Sequence, residues 1–386
     1  MSIYLTLTPR DPLIARDGRP FGSGQRMKSL DWPYPSVLAG SLRSLLGKAN
    51  GGVFDDKTVA ALKQINIEGP LPLFNGELYF PAPRDLLVYA DEGKNQRRSL
   101  MKLRPLEMPA GSGCNLPFAS LRPVGVSKEA KPAKAPAFWS LTHMAHWLAG
   151  KELEKFIPPE KAEAGSGFLD TLAKDERMHV SIKPETYAAE EGLLFKTVGL
   201  DMGLAGQAAP LQLAVRVAAE GIWHEKLKHL KCLHPLGGER RLAHWQAERS
   251  CTAWHCPAAL HTALKPAKRV RLVLATPGIF KHGWLPGWLD ETSLQGTLPG
   301  TSVQLRLLGA CIDRWKPISG WGLENGNIGP KPIRRLVPAG SVYFFEVPEA
   351  CKGSAAELTD NYWLHSVADE AQDRRDGLGL ALWGLW

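Results

Sequence analysis

A chain of 386 residues, 44% hydrophobic and 22% charged, can bury two ordinary cores, which excludes a largely disordered protein and favours two domains. Lys and Arg number 47 against 39 Asp and Glu, a formal charge of +8 that suits a polyanionic partner without proving one. No uninterrupted apolar stretch approaches ~20 residues and the start resembles no secretory leader, so no membrane partner and a cytoplasmic setting are expected.

Residues 3–8 alternate as a strand. The following loop, RDGRPFGSGQRMK, interleaves Gly18, Gly22 and Gly24 with Arg16, Arg19, Arg26 and Lys28. Residues 36–48 then place Val37, Leu38, Ser41, Leu42, Leu45 and Leu46 on one helical face, with Ser36 as N-cap, Gly51 and Gly52 as the stop, and Arg43 and Lys48 on the wetter side. Residues 71–136 are rich in Pro, Gly and Arg and read as loops and short strands inserted outside the core. Residues 178–182 put Met178, Val180 and Ile182 on one side and His179, Ser181 and Lys183 near the other. With residues 193–198 they make an antiparallel hairpin, and residues 212–218 give a further strand. The result is a split βαβ pattern. After a Trp- and His-rich stretch, residues 269–275, 302–308 and 341–347 read as strands, with a helix around 355–372. A second α+β domain therefore begins near residue 262, within about ten residues.

Three segments combine glycines with guanidinium groups. Gly377 and Gly379 follow Arg374 and Arg375; Gly237 and Gly238 precede Arg240 and Arg241; the loop before the first helix holds Gly22, Ser23 and Gly24. Glycine lets successive backbone N–H groups converge on an anion, and arginine adds charge-assisted contacts to phosphate. Each segment is equally readable as a plain turn. A basic arm, Lys331 with Arg334 and Arg335, leads into residues 341–347, a strand apolar on both faces and so expected to be central. Six of the 11 histidines and three of the six cysteines fall between residues 224 and 261, but their spacings match no CxxC-type zinc site, and no metal or cofactor is expected. Neither GxxxxGK[ST], GxSxG nor HExxH occurs. His179 offers an acid/base group, or a hydrogen-bonded structural histidine.

Taken together, RDPLIARDGRPFG, PSVLAGSLRSLLGK, LYFPAPRDL, RMHVSIKPETYAAEEGLLFKT, PLGGERRLA, KPIRRLVPAGSVYFFEV and GLGLALWG keep their order from the first strand to the last. They resemble subunit three of the Cmr complex, in the Cas-five-like group of the RAMP superfamily of type III-B CRISPR effectors. The corresponding subunit of the type III-A complex shares the two ends but fits PAPRD and VPAGSVYFFEV less well. The resemblance implies an α+β protein of two ferredoxin-like (RRM-like) domains with loop and helical insertions, over residues 1–262 and 263–386. It implies a non-enzymatic RNA-binding subunit that holds the 5′ tag of the CRISPR guide RNA and contacts the large polymerase-like Cmr subunit and a Cmr backbone subunit in antiviral defence. The alternative is a metal-independent endoribonuclease of the same superfamily. Position by position, the family's glycine-rich loop falls on Gly377 and Gly379 and its first-helix GxxR on Gly40 and Arg43. The candidate RNA-binding set adds Arg19, Gly22, Ser23, Gly24, Arg26, Lys183, Gly237, Gly238, Arg240, Arg241, Arg334, Arg374 and Arg375, chosen by charge and flexibility.

Overall fold

Ile3, Leu5 and Leu7 alternate because one face of their strand is core: all three are buried, each such side chain contributing about 1.5–3 kcal/mol. The computed structural model that shows this describes residues 2–18, 28–90, 98–126, 128–151, 162, 165–204, 207, 209–248, 252–324, 327–351 and 354–386. It is a mixed α+β structure. The chain divides into two units, one made of Met1–Pro70, Thr171–Ser250 and Lys316–Arg335, the other of Leu71–Asp170, Cys251–Trp315 and Leu336–Trp386.

In the first unit, β1 (Ser2–Pro9) is followed by α1 (Pro35–Ala49) and α2 (Asp56–Lys63). Leu38, Leu42, Leu45 and Leu46 are the buried stripe of α1. Pro35 takes its first helical position, where a missing N–H costs nothing, so Ser36 lies inside the helix rather than capping it. Asp55 caps α2 by accepting from the Thr58 N–H at 2.8 Å. β2 (Asn66–Phe74) carries the chain onward. Later come β3 (Lys174–Ile182), β4 (Ala189–Leu200), β5 (Gln212–Ala218), α3 (Gly221–Lys228), β6 (Lys231–Pro235) and β7 (Leu242–Glu248). Within this unit the strands neighbour one another in the order β6-β7-β1-β5-β2. β1 is antiparallel to both neighbours, with Leu5 opposite Val215 on β5 and Leu7 opposite Trp245 on β7. β3 and β4 form the predicted hairpin as a separate two-stranded ribbon. Its apolar row does not face a core: Met178, Val180, Ile182 and Leu194 are exposed.

In the second unit, β8 (Arg269–Leu274), β9 (Gln295–Thr297), β10 (Gln304–Cys311), β11 (Val342–Glu346) and β12 (Ala381–Leu385) pair in the order β9-β10-β11-β8-β12. β11 is central and buried on both faces, as its apolar run predicts. The segment expected to stand outside the core is part of this one: Leu73, Leu78, Phe80 and Val88 are buried. The reason is a polar anchor that periodicity does not reveal. Arg271 on β8 donates to Asp85 and to the Trp147 carbonyl, while Trp147 Nε1 donates to the same carboxylate at 2.9 Å. Arg271 and Asp85 are 2% and 0% exposed. Residues 71–170 thus join the second unit. The two units are discontinuous in sequence, where a single crossing near residue 262 was expected.

The helix expected around 355–372 is two short pieces, Glu357–Asp360 and Ala371–Arg375. Between them the backbone pairs with β12 and its approach, through Leu364 N–H to Ala381 O and Val367 N–H to Gly379 O, and buries Trp363, Leu364 and Val367, with the chain turning at Leu364 (φ +56°). No helix among the described residues is long and apolar enough to cross a membrane.

Candidate nucleic-acid interface

Opposite its leucine stripe, α1 presents Val37, Gly40, Ser41, Ser44 and Lys48, which recur at three- and four-residue spacing and so share one face. That face forms a wall of a groove of about 630 Å³ in the first unit. The other walls are Ile14, Ala15 and Arg16 after β1, Phe195, Lys196 and Thr197 on β4, His234 and Pro235 on β6, and Gly237 to Glu239 in the loop that follows. Ser41 Oγ donates to the Pro235 carbonyl at 2.5 Å, fixing the helix to β6.

The glycine loop is shaped by contact with residues 13–14. Gly238 N–H donates to the Ile14 carbonyl at 2.7 Å. Gly237 has φ +79°, and a Cβ there would lie 2.4 Å from the same oxygen, so only glycine fits. Glu239 and Arg240, at φ +54° and +51°, form the tip, closed by Leu236 N–H to Arg241 O at 2.8 Å. Two consecutive left-handed residues other than glycine cost about 1 kcal/mol or more each, a strain that clusters at functional positions.

Arg16, Lys48 and Lys196 line the groove against one carboxylate, Glu239, so its charge is positive. Lys196 is itself paired with Glu176 across the hairpin. His234 is held below the ordinary imidazole range, first by burial and then by the Lys48 ammonium. It is therefore a neutral polar group in the wall at pH 7.

The candidate residues sort as follows. Gly40, Gly237 and Gly238 meet in this groove, and Arg240 is exposed at the tip of its loop. Arg241 is half-buried, with its Nε enclosed and without a hydrogen-bond partner. Arg43 turns away to structure: its guanidinium donates to the carbonyls of Leu62 and Ile65 at 3.0 and 3.2 Å, satisfying the open end of α2. Lys183 is exposed just past β3, where its N–H closes the hairpin turn on Ala188 O at 2.9 Å. Arg334 is exposed in the short strand Arg334–Leu336. Arg19, Gly22, Ser23, Gly24 and Arg26 lie outside the described residues.

The terminal glycines are built into the fold of the second unit. Gly377 and Gly379 are buried in the second unit, and their amides already donate within the chain, to Arg374 O at 3.1 Å and Pro277 O at 2.8 Å. Gly377 has φ +83° and terminates the helix Ala371–Arg375, with Leu378 N–H returning to Asp373 O at 3.0 Å. Arg374 braces the same turn through the carbonyls of Ala368 and Asp369, at 2.9 and 2.5 Å, and Arg375 is half-buried with contacts of its own. The N–H groups that an anion would need here are committed to the fold. Sequence reasoning missed Lys196 and Ser44, which carry no motif and reach the groove only through strand pairing and helix phase.

His179 donates or accepts at Nε2 with Thr197 Oγ1 at 2.8 Å and stacks on Phe195, 5.2 Å between ring centres, which is the structural-histidine arrangement. Among the described residues, no group of three His, Cys, Asp or Glu side chains could hold a metal ion.

The family model described as CRISPR-associated protein (Cas_Cmr3) matches residues 5–386. The chain belongs to that family. No curated protein matches it. Among solved structures, this Cmr3-family chain is similar to a chain of the cryo-EM structure of the Type III-B Cmr-beta bound to cognate target RNA, at 16% identity and TM-score 0.47, over 88% of this chain and 86% of that one. A chain in the form with AMPPnP, state 1, gives 15% identity and TM-score 0.48 over the same shares. A chain of the crystal structure of the Csm3-Csm4 subcomplex of the type III-A interference complex gives 10% identity and TM-score 0.38, over 91% and 94%.

Proposed function

We propose that this chain is a non-catalytic RNA-binding subunit of a type III-B CRISPR effector complex, and that the groove beside α1 holds the sugar-phosphate backbone at the 5′ tag of the guide RNA. The observation that carries this reading is Gly40. It lies mid-helix, where glycine is destabilising by about 1 kcal/mol relative to alanine, yet a Cβ would meet nothing within 4 Å. Packing inside the chain gives no reason for it; close approach of an external backbone does. Arg16 and Lys48 supply charge to that backbone, and Ser44 a hydroxyl.

Both units are read as ferredoxin-like. In the first, β1-α1-β2-β5-α3-β7 follows the split βαβ order, with β6 as an added edge strand. In the second, β8, β10, β11 and β12 take the corresponding places, residues 275–303 replacing the first helix. The partners that follow from family membership are the large polymerase-like subunit and a backbone subunit.

The test is guide-RNA crosslinking within the assembled complex, with the 5′ tag carrying the photoreactive base. Peptides from α1 and residues 234–241 are expected. For the isolated chain, log affinity against log salt should fall with slope of about −0.7 per phosphate neutralised, and Arg16→Ala with Lys48→Ala should flatten it. Salt-independent binding, or specific repeat-RNA products in chelator that vanish with His179→Ala, would overturn this reading.

A further inference from the structure

The segment Lys316–Arg335 belongs to the first unit but contributes nothing to the groove. Its strands Trp321–Glu324 and Asn327–Pro330 form a hairpin. The base is closed by Lys331 N–H to Gly320 O at 2.8 Å and by Ser319 Oγ to Lys331 O at 2.6 Å. Strand alternation puts Trp321 on one face, with Pro330 opposite in register, and Gly320 and Gly322 on the other. The Lys331 side chain runs along the glycine face, 3.7 to 3.9 Å from where Cβ atoms would stand.

Trp321 is 63% exposed, whereas Trp139, Trp147, Trp245, Trp254 and Trp383 are fully buried. A large exposed aromatic on a ribbon marks an interaction surface. The same segment carries Lys316, Lys331, Arg334 and Arg335, all exposed, against the single acid Glu324. Four exposed cations in the same segment as one exposed indole suit a polyanion that also offers π-faces. The ribbon adjoins the rim of the groove: Gly18, two residues from Arg16, approaches the Ser319 backbone too closely for any side chain to fit between them.

We propose that Trp321 is a stacking platform for an unpaired base of RNA leaving the groove, with the exposed cations of its segment holding the adjoining phosphates. This rests on the RNA-binding reading above and extends it to single-stranded RNA outside the groove. Every base has a π-face, so the platform is indifferent to sequence and rejects a duplex, whose bases are already stacked.

The test uses the full chain and a fluorescein-labelled oligouridylate. Trp321→Ala should weaken binding about tenfold and Trp321→Phe less than about threefold, with melting temperatures unchanged. An oligonucleotide carrying 5-iodouridine should crosslink to the peptide that contains Trp321. Should Trp321→Ala bind like wild type while Arg16→Ala with Lys48→Ala binds weakly, the platform is refuted and the groove stands. If neither variant weakens binding, or the wild-type chain binds no RNA, both fall. If Trp321→Ala binds RNA normally but fails to co-elute with its partner subunits, the face belongs to a protein contact and the proposal is wrong.

Discussion

Glycines that look alike in the sequence play opposite parts. Gly237→Ala forces a Cβ against the Ile14 carbonyl at φ +79° and should destabilise the chain by about 2 kcal/mol or more, read by urea denaturation. Gly40→Ala should instead stabilise it by about 0.5–1 kcal/mol while weakening guide-RNA binding, since the added methyl projects into open groove. His234 gives a pH signature. Burial, then Lys48, hold its pKa below 6.5, so the unfolded chain takes up a proton below that pH before the folded chain does. Stability present above pH 6.5 is therefore lost on acidification, and His234→Gln should flatten that part of the profile. The sequence singled out Gly237 and Gly238 because glycine near arginine is visible in one dimension, and Gly40 only through the resemblance of its GxxR to the family's first helix. Gly377 and Gly379 are harder to read, because a helix-ending glycine and an anion-cradling one are written the same way. Only the hydrogen bonds to Arg374 and Pro277 tell them apart.

Among the elements, period-two alternation located β1, β5 and the hairpin of β3 and β4, but it reports only that two faces differ, not what covers either. On β1 the covered face is a core; on β3 the corresponding side chains meet solvent. Replacing Met178, Val180 and Ile182 together by Thr should therefore change unfolding free energy by less than about 1 kcal/mol, whereas Leu5→Ala alone should cost about 2–5 kcal/mol. The mistaken helix at 355–372 has a related cause. Its apolar residues satisfy a helical period, but Leu364 and Val367 find backbone partners in β12 and its approach, and the chain turns at Leu364 instead of continuing a helix. The insertion at 71–136 looked peripheral because Pro and Gly dominate its text, while the residue that ties it inward, Asp85, is a single carboxylate. Asp85→Ala leaves Arg271 charged and enclosed, which should cost about 3–5 kcal/mol; adding Arg271→Met should recover much of that, a comparison made by denaturation of both variants.

For the molecule as a whole, element types were legible and their assignment to units was not, because contacts between distant segments leave no periodic trace. The consequence is testable by dissection. A fragment of residues 263–386 lacks Asp85 and Trp147, the partners of Arg271, and should be unfolded by circular dichroism, although a boundary near 262 would make it a domain. Supplying residues 71–170 should restore structure. The interleaving also bears on birth of the protein at the ribosome. The first unit draws on residues as late as 335 and the second closes only with β12, so at ~5–20 residues per second neither can close until the ribosome has passed residue 335. A nascent chain of this kind exposes β1 and α1 for tens of seconds before their last neighbours emerge, which makes it a natural client for chaperones and ties its yield to the speed of translation.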